Sequence, residues 1–548
     1  MLYVGAFSLL LLALTPSFNA QNQVTAPNPH YVAILNNSLW FYEAQRSGKL
    51  NSNGYQSRIP WRHDSGLDDG KDVGVDLTGG YYDAGDYLKF LLPMAYSLTI
   101  TSWGALEFWP GYKLASQDSY LKDMLKWGTD WIIKAHPDAN TLYVQVGKGN
   151  VDNNYWGPDT GIPTPRPSYK IDTNHPGTDV ASEAAASLAA TSIVFRNHFG
   201  DSDYADTLLK HARELYNFAD TARKTEYQKS VSDAKEFYAS TGFTDELVWG
   251  ALWLFRATND TQYLTTAIKY FDQYKLSGKT TPMDWNDKTP GIYVLGSEIF
   301  QDDNGQRFKK EAEAWLEGIV SGNKDGTFTK AGMVWFSGTS EMAATVPANT
   351  CSFLASIYSS SVLSKSNTED SQNKKAKYEN FVQNQLDYLL GKNPQNTPYV
   401  VGVHSNSPVN PHHAGAHGGT DVGNLNNPPV NQNVLYGAMV GGPNKDDEFY
   451  DERSDWKQSE VALDYNAPFQ ALMARQVMFA TNDPPYVSLP YTPRPTRPAK
   501  SKTGLIIGLT IFAVFVLVCS IVLYFWRHRI ATWWHRRRAL KAGSRVLP

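Results

Sequence analysis

Residues 178–197 read TDVASEAAASLAATSIVFRN. Alanine is the best helix former, and the run Asp179–Phe195 is so rich in it that a neighbouring helix can approach closely. Outward from it the same helical patterning recurs. The stretches 30–47, 118–135, 203–222, 243–257, 260–274, 340–360, 375–391 and 460–479 carry apolar residues at helical spacing. Each is bounded by Gly, Pro, Asn or Asp. Between them run long segments rich in Gly, Trp, Tyr, Asp and Pro, at 55–86, 143–177, 281–297 and 393–456. These read as structured loops, where function usually sits on a helical scaffold. No linker interrupts 25–480, so the region reads as one large all-α domain. About a dozen helices without a linker would be satisfied by antiparallel hairpins closed into a ring, although periodicity alone does not prove closure.

The ends of the chain read differently. Residues 1–20 contain an apolar run, Leu9–Leu14, then turn formers and Ala20, the pattern of a secretory leader without its charged start. Residues 481–503 hold six prolines and read as an extended stalk. Residues 504–526 carry no charge, and at 1.5 Å per residue they cross a hydrocarbon core of roughly 30 Å. The tail 527–548 then carries seven Lys/Arg and no acid, which places it on the cytoplasmic side. The expected topology is single-pass, in the plasma membrane or a secretory-pathway membrane, with the body outside or in the lumen. Asn36 and Asn259 begin glycosylation sequons that fit it.

Of the 548 residues, 13% are aromatic, which suits a large core and also surfaces that stack flat ligands. Setting the tail aside, the chain is strongly acidic. Nucleic acid is therefore excluded as a partner, since phosphate binding needs clustered Lys/Arg. Cys351 in the body and Cys519 in the apolar span cannot pair within one chain. A chain of this size folds without disulfides, and a monomer is expected.

Three acids draw attention. Asp83 and Asp86 lie in Gly79-Gly-Tyr-Tyr-Asp-Ala-Gly-Asp86, three residues apart among small neighbours. They can converge on one water or cation, or merely stabilise a loop. Glu460 starts a helix far along the chain, where a solvated first-turn acid is the ordinary reading. Glycoside hydrolysis needs such a kit: a carboxylate base for water and a protonated acid for the leaving oxygen.

The string Asp76-Leu-Thr-Gly-Gly-Tyr-Tyr-Asp-Ala-Gly-Asp-Tyr-Leu-Lys-Phe90 resembles the N-terminal motif of glycoside hydrolase family nine, the endoglucanases. Residues Phe449–Ala467 fit that family's C-terminal acidic signature, and Asp387–Pro394 with His412 resembles its histidine motif. Tyr143–Gly147, Arg166–Lys170, Asp245–Gly250 and Gly441–Pro443 are similar to further family strings, in order over roughly 30–480. The resemblance implies an (α/α)6 barrel at 21–480 with an open cleft, and inverting endo-hydrolysis of β-1,4-glucan. It implies Asp86 as general base, Asp83 holding the water, Glu460 as general acid and Asp451 orienting. His136, Arg166, His412 and Tyr465 match positions that bond sugar hydroxyls, and Trp156, Trp285 and Trp335 are candidate stacking platforms. No cofactor is needed for the chemistry. Thr241, Asp245, Glu246 and Asn286 resemble a structural calcium site, with Asn286 where Asp is usual. Two departures stand out: Ala414 ends the histidine motif in place of Arg, and Tyr81 replaces a Trp. Both bear on subsite affinity. A glucan-binding receptor on a hydrolase scaffold stays open, as do exo-action and xylan or glucomannan specificity.

Overall fold

A computed structural model describes residues 27–51, 55–300, 302–322, 326–497 and 503–543. The leader at 1–20 lies outside them. Among the described residues, twelve helices of 11 to 24 residues build the body. They are α1 (Pro29–Ala44), α2 (Leu91–Leu114), α3 (Asp118–Ala135), α4 (Thr178–Asn197), α5 (Ser202–Thr221) and α6 (Thr244–Thr258). The series continues with α7 (Thr261–Gln273), α8 (Thr289–Ile299), α9 (Asp303–Val320), α10 (Thr345–Ile357), α11 (Glu369–Leu389) and α12 (Leu463–Phe479).

Helices α2, α4, α6, α8, α10 and α12 touch in that cyclic order, and α12 packs back on α2. Each takes one outer partner: α3, α5, α7, α9 and α11 follow their inner helix, while α1 covers α12. The ring thus closes by pairing the first helix with the last, and the expected (α/α)6 barrel is the observed fold. The alanines of α4 lie fully buried at the contacts with α2, α5 and α6. At the centre Trp103, Trp249 and Trp253 meet with ring centroids 5.6–5.7 Å apart. Each such pair adds about 0.5–1.5 kcal/mol beyond area burial.

Sequence patterning misses α2, α8 and α9, and it assigns 281–297 to a loop although α8 begins at Thr289. Helix α2 is buried along most of its length, so no polar face marks its period. Helix α8 is short and opens with Pro290 at its first turn.

Two small sheets decorate the helices. In the first, β2 (Leu142–Val146) lies between β1 (Lys89–Phe90) and β3 (Ser168–Ile171), both antiparallel to it. In the second, β4 (Gly326–Phe328) pairs with β5 (Val334–Phe336).

The body runs further than expected. One compact unit extends to Pro495. Residues 485–494 do not hang free: Tyr486 is buried, and Asn406 bonds the Pro490 carbonyl and the Thr492 amide. The second unit, 496–548, contains α13 (Thr503–Ala542). Within it Thr510–Ala542 is long and apolar enough to cross a membrane. The helix continues past Trp526 through the basic residues.

Candidate active site

A cleft of about 720 Å³ opens in the body. Asp83, Asp86 and Glu460 line it together, beside Trp156, Trp285, Asn286, His412 and Tyr465. Backbone bonds stitch the contributing segments. The Ala414 amide donates to the Gly85 carbonyl, the His412 amide to Ser459 and the Leu463 amide to Asp83. The position just before Asp86 must be glycine, because a Cβ at Gly85 would stand 1.9 Å from the His412 carbonyl oxygen. That close approach lets the Gly85 N–H reach Glu460 Oε1 at 3.4 Å.

The three acids have different surroundings. Asp83 Oδ2 accepts from the Tyr238 hydroxyl at 2.5 Å, while its Oδ1 is buried with no protein partner. Burial and the neighbouring Asp86 raise Asp83 well above the ordinary carboxyl range, and Tyr238 opposes. Asp86 Oδ1 accepts the Leu88 amide at 3.0 Å. Burial and the Asp152 and Glu460 charges raise it, against Leu88 and Arg166. Glu460 is pushed up to about 8 by burial, and the Gly85 and Val461 amides only partly offset this. At neutral pH Glu460 therefore carries its proton.

His412 donates from Nδ1 to the Arg453 carbonyl at 2.7 Å, since a carbonyl can only accept. Burial keeps it neutral and leaves Nε2 as an acceptor. Its ring meets Trp156 edge-on at 4.7 Å. Trp285 meets Tyr238 in the same way at 4.9 Å.

The remaining expected residues lie elsewhere. Trp335, on β5, is 1% exposed within the core and offers no face to a ligand. His136 does not line the cleft. It is buried after α3, with Nδ1 2.8 Å from Nδ1 of His211. Arg166 is spent on the scaffold, bonding Asp69 at 2.8 Å, the Tyr87 carbonyl at 2.8 Å and Asp152 at 3.4 Å. Asp451 also stands back, accepting the Val409 and Asn410 amides at 2.8 and 3.0 Å. Tyr81 is buried, with its hydroxyl on the Met124 carbonyl, so this departure alters packing rather than a subsite. Ala414 does line the cleft.

Of the suspected calcium ligands, Glu246 Oε1 takes the Lys288 ammonium at 3.0 Å and Asp245 Oδ2 takes the Lys288 amide. Asn286 Oδ1 takes the Thr241 amide, so it is turned to that strut. Glu246 Oε2 is buried without a partner, and Asp245 is raised well above its usual range by burial and by Glu246. The protein thus leaves Glu246 Oε2 open for a cation, while the Lys288 ammonium already balances the charge at Oε1 and Asn286 is not free to join.

Sequence reasoning missed Tyr238, Asp284 and Asp464, which also line the cleft. Glu460 does not start a helix as expected but lies before α12 on a bridge to His412, so Asp464, in the first turn of α12, was not legible from its spacing to Glu460. Nothing local marked Tyr238.

A closed ring of helical hairpins, whose groove gathers Asp83, Asp86 and Glu460 with all three raised above the ordinary carboxyl range, has the parts that a glycoside hydrolase needs. Glycosyl hydrolase family 9 matches residues 31–473, and the chain belongs to that family. It is 42% identical over 453 residues to endoglucanase A of Bacillus pumilus, covering 82% of this chain and 66% of that relative. It is 40% identical over 474 residues to endoglucanase 14 of Arabidopsis thaliana, covering 82% of this chain and 94% of that protein. Among solved structures, the endoglucanase of the termite Nasutitermes takasagoensis superposes with a TM-score of 0.74 at 39% identity. That match covers 82% of this chain and 98% of the termite chain.

Proposed function

We propose that the protein is an inverting endo-β-1,4-glucanase acting on cellulose and related β-glucans. The observation that carries this reading is the convergence of Asp83, Asp86 and Glu460 on one cleft, with Glu460 protonated at neutral pH. Glu460 gives its proton to the leaving glycosidic oxygen. Asp86 takes a proton from water attacking the opposite face of the anomeric carbon, so configuration inverts. Asp83, with Oδ2 fixed by Tyr238, offers Oδ1 to that water. Trp156 and Trp285 stack sugar rings, while His412 Nε2 and Tyr465 bond hydroxyls. Asp451 orients the loop that ends at His412. The endoglucanase names of the relatives support this assignment.

The test is reducing-sugar release from soluble carboxymethylcellulose by residues 21–499, beside a folded Glu460→Gln variant. We expect turnover in the parent and a loss of about 10²–10⁴-fold in the variant. Equal activity in both would remove Glu460 from the chemistry.

We further infer a single-pass membrane protein whose body faces away from the cytoplasm. The helix α13 and the seven basic residues beyond Trp526 support it. Calcium at Asp245, Glu246 and the Thr241 backbone would be structural only. Adding calcium to chelated protein is then expected to raise Tm while leaving the cleft chemistry unchanged.

A further inference from the structure

We propose that Arg494, beyond the last residue of the family match, is a positioning residue of the active site. Its guanidinium reaches back onto the body at three points. Nε lies 3.1 Å from Asp451 Oδ2, and Nη2 donates to the Ser405 and Ser407 carbonyls at 3.0 and 2.7 Å. Asp451 in turn receives the Val409 and Asn410 amides. One cation and one carboxylate therefore hold both halves of the loop 405–410. Two residues further on, His412 enters the cleft, pairs with the Glu460 segment and donates to the Arg453 carbonyl.

The chemistry of the pair supports the role. The Asp451 side chain is only 5% exposed, whereas Arg494 is 34% exposed. A buried carboxylate needs charge-matched donors to stay ionised, and Arg494 is its ion-pair partner among the described residues. The flanking chain is seated independently. Asn406 Nδ2 donates to the Pro490 carbonyl, Asn406 Oδ1 accepts the Thr492 amide, and Asn396 Nδ2 donates to Thr492 Oγ1. The proline-rich segment thus acts as a strap across the His412 loop and belongs to the catalytic body. Arg suits the position better than Lys, because its planar fork serves a carboxylate and two carbonyls at once.

This inference rests on the hydrolase reading, so the test has two independent readouts on the full chain. Amide hydrogen exchange over 404–412 reports the strap directly. The pH profile of kcat/KM on carboxymethylcellulose reports its effect on the site. In Arg494→Ala we expect exchange of the Val409 and Asn410 amides to quicken about tenfold or more. We expect kcat/KM to fall about tenfold. The acid limb, which Asp86 sets in the parent, should move to higher pH, because Asp451, left with the weaker Arg453 charge, takes a proton more readily and releases the loop. Arg494→Lys, which keeps the charge, should recover part of the rate and most of the limb. Tyr491→Ala, at a side chain that is 68% exposed on the same strap, serves as the control. Where Arg494→Ala does not fold, Arg494→Gln carries the same comparison. Unchanged exchange overturns the strap. Faster exchange with kcat/KM within twofold of the parent and an unmoved limb overturns the positioning role. A parent with no turnover sinks the hydrolase reading, while exchange still decides whether Arg494 holds the loop.

Discussion

Asp69 and Glu460 are carboxyls buried in the same helical body, yet their surroundings push them in opposite directions. Asp69 lies between Lys89 at 2.7 Å and Arg166 at 2.8 Å. Burial alone would raise it, but the two cations hold it below the ordinary value. Glu460 has no ion-pair partner among the described residues, and burial lifts it to about 8. The same contrast separates whole regions. Inside the ring, Lys288 lies 3.0 Å from Glu246 and 3.7 Å from Glu183, all fully buried. Burial would pull Lys288 down, but Glu246, Glu183 and Asp245 reverse this and raise it. In the cleft, Asp83, Asp86, Glu460 and Asp464 stand together without such a cation. Where charge is matched, the carboxyl is scaffold. Where it is left unmatched, the carboxyl titrates above its ordinary range, which suits Glu460 to giving a proton and Asp86 to taking one.

The largest effect should come from breaking the unmatched side. Asp86→Asn removes the base without changing volume, and kcat is expected to fall about 10²–10⁴-fold with little change in Tm. A kcat within tenfold of the parent would dismiss Asp86 as the base. Breaking the matched side should do the reverse. Lys288→Met leaves buried carboxylates uncompensated, and chemical denaturation should show a loss of about 3–5 kcal/mol. If stability holds, the network is not a structural ion cluster.

The next test uses pH. Activity needs Asp86 ionised and Glu460 protonated, so kcat/KM should be bell-shaped. The acid limb lies above the ordinary carboxyl range, and the basic limb lies near pH 8. Stability has its own sign. Unfolded Glu460 titrates near 4.5 and folded Glu460 near 8. Below about 4.5 both states hold the proton, and the folded state is not penalised. Between the two values unfolding releases a proton, so this share of stability is lost as pH rises through about 8. Glu460→Gln should therefore flatten the dependence of Tm on pH in that window. The same slope in parent and variant would show that Glu460 is not protonated in the folded state.

Legibility in the sequence followed the same division. The outer helices α3, α5 and α7 were visible because one face of each meets water. Helices α2 and α8 were not, since burial on most sides erases the period; α9 breaks the division, because it was missed although one of its faces meets water. The acids of the cleft could be read because the resemblance fixed Asp83, Asp86 and Glu460 by position. Side-chain direction could not be read. Arg166, Trp335 and His136 carry the right chemistry for sugar binding, but neighbours distant in sequence take it: Asp69 and Asp152, the core around β5, and His211. Tyr238 was invisible for the same reason, lying 155 residues from the Asp83 that it bonds.

Two tyrosines give the finest form of the comparison. Tyr238 donates to an ionisable carboxyl in the cleft, whereas Tyr81 donates to the Met124 carbonyl in the core at 2.7 Å. Each Phe substitution deletes one hydroxyl. Tyr81→Phe leaves a buried carbonyl unpaired and should cost about 1–3 kcal/mol of stability, with kcat and KM unchanged. Tyr238→Phe deletes a bond to a charged acceptor that keeps Asp83 from rising further. It should lower kcat by about tenfold and move the acid limb upward, with KM nearly constant. The two variants differ by location rather than by chemistry. If both alter only Tm, Asp83 is part of the scaffold, and the unmatched region shrinks to Asp86 and Glu460.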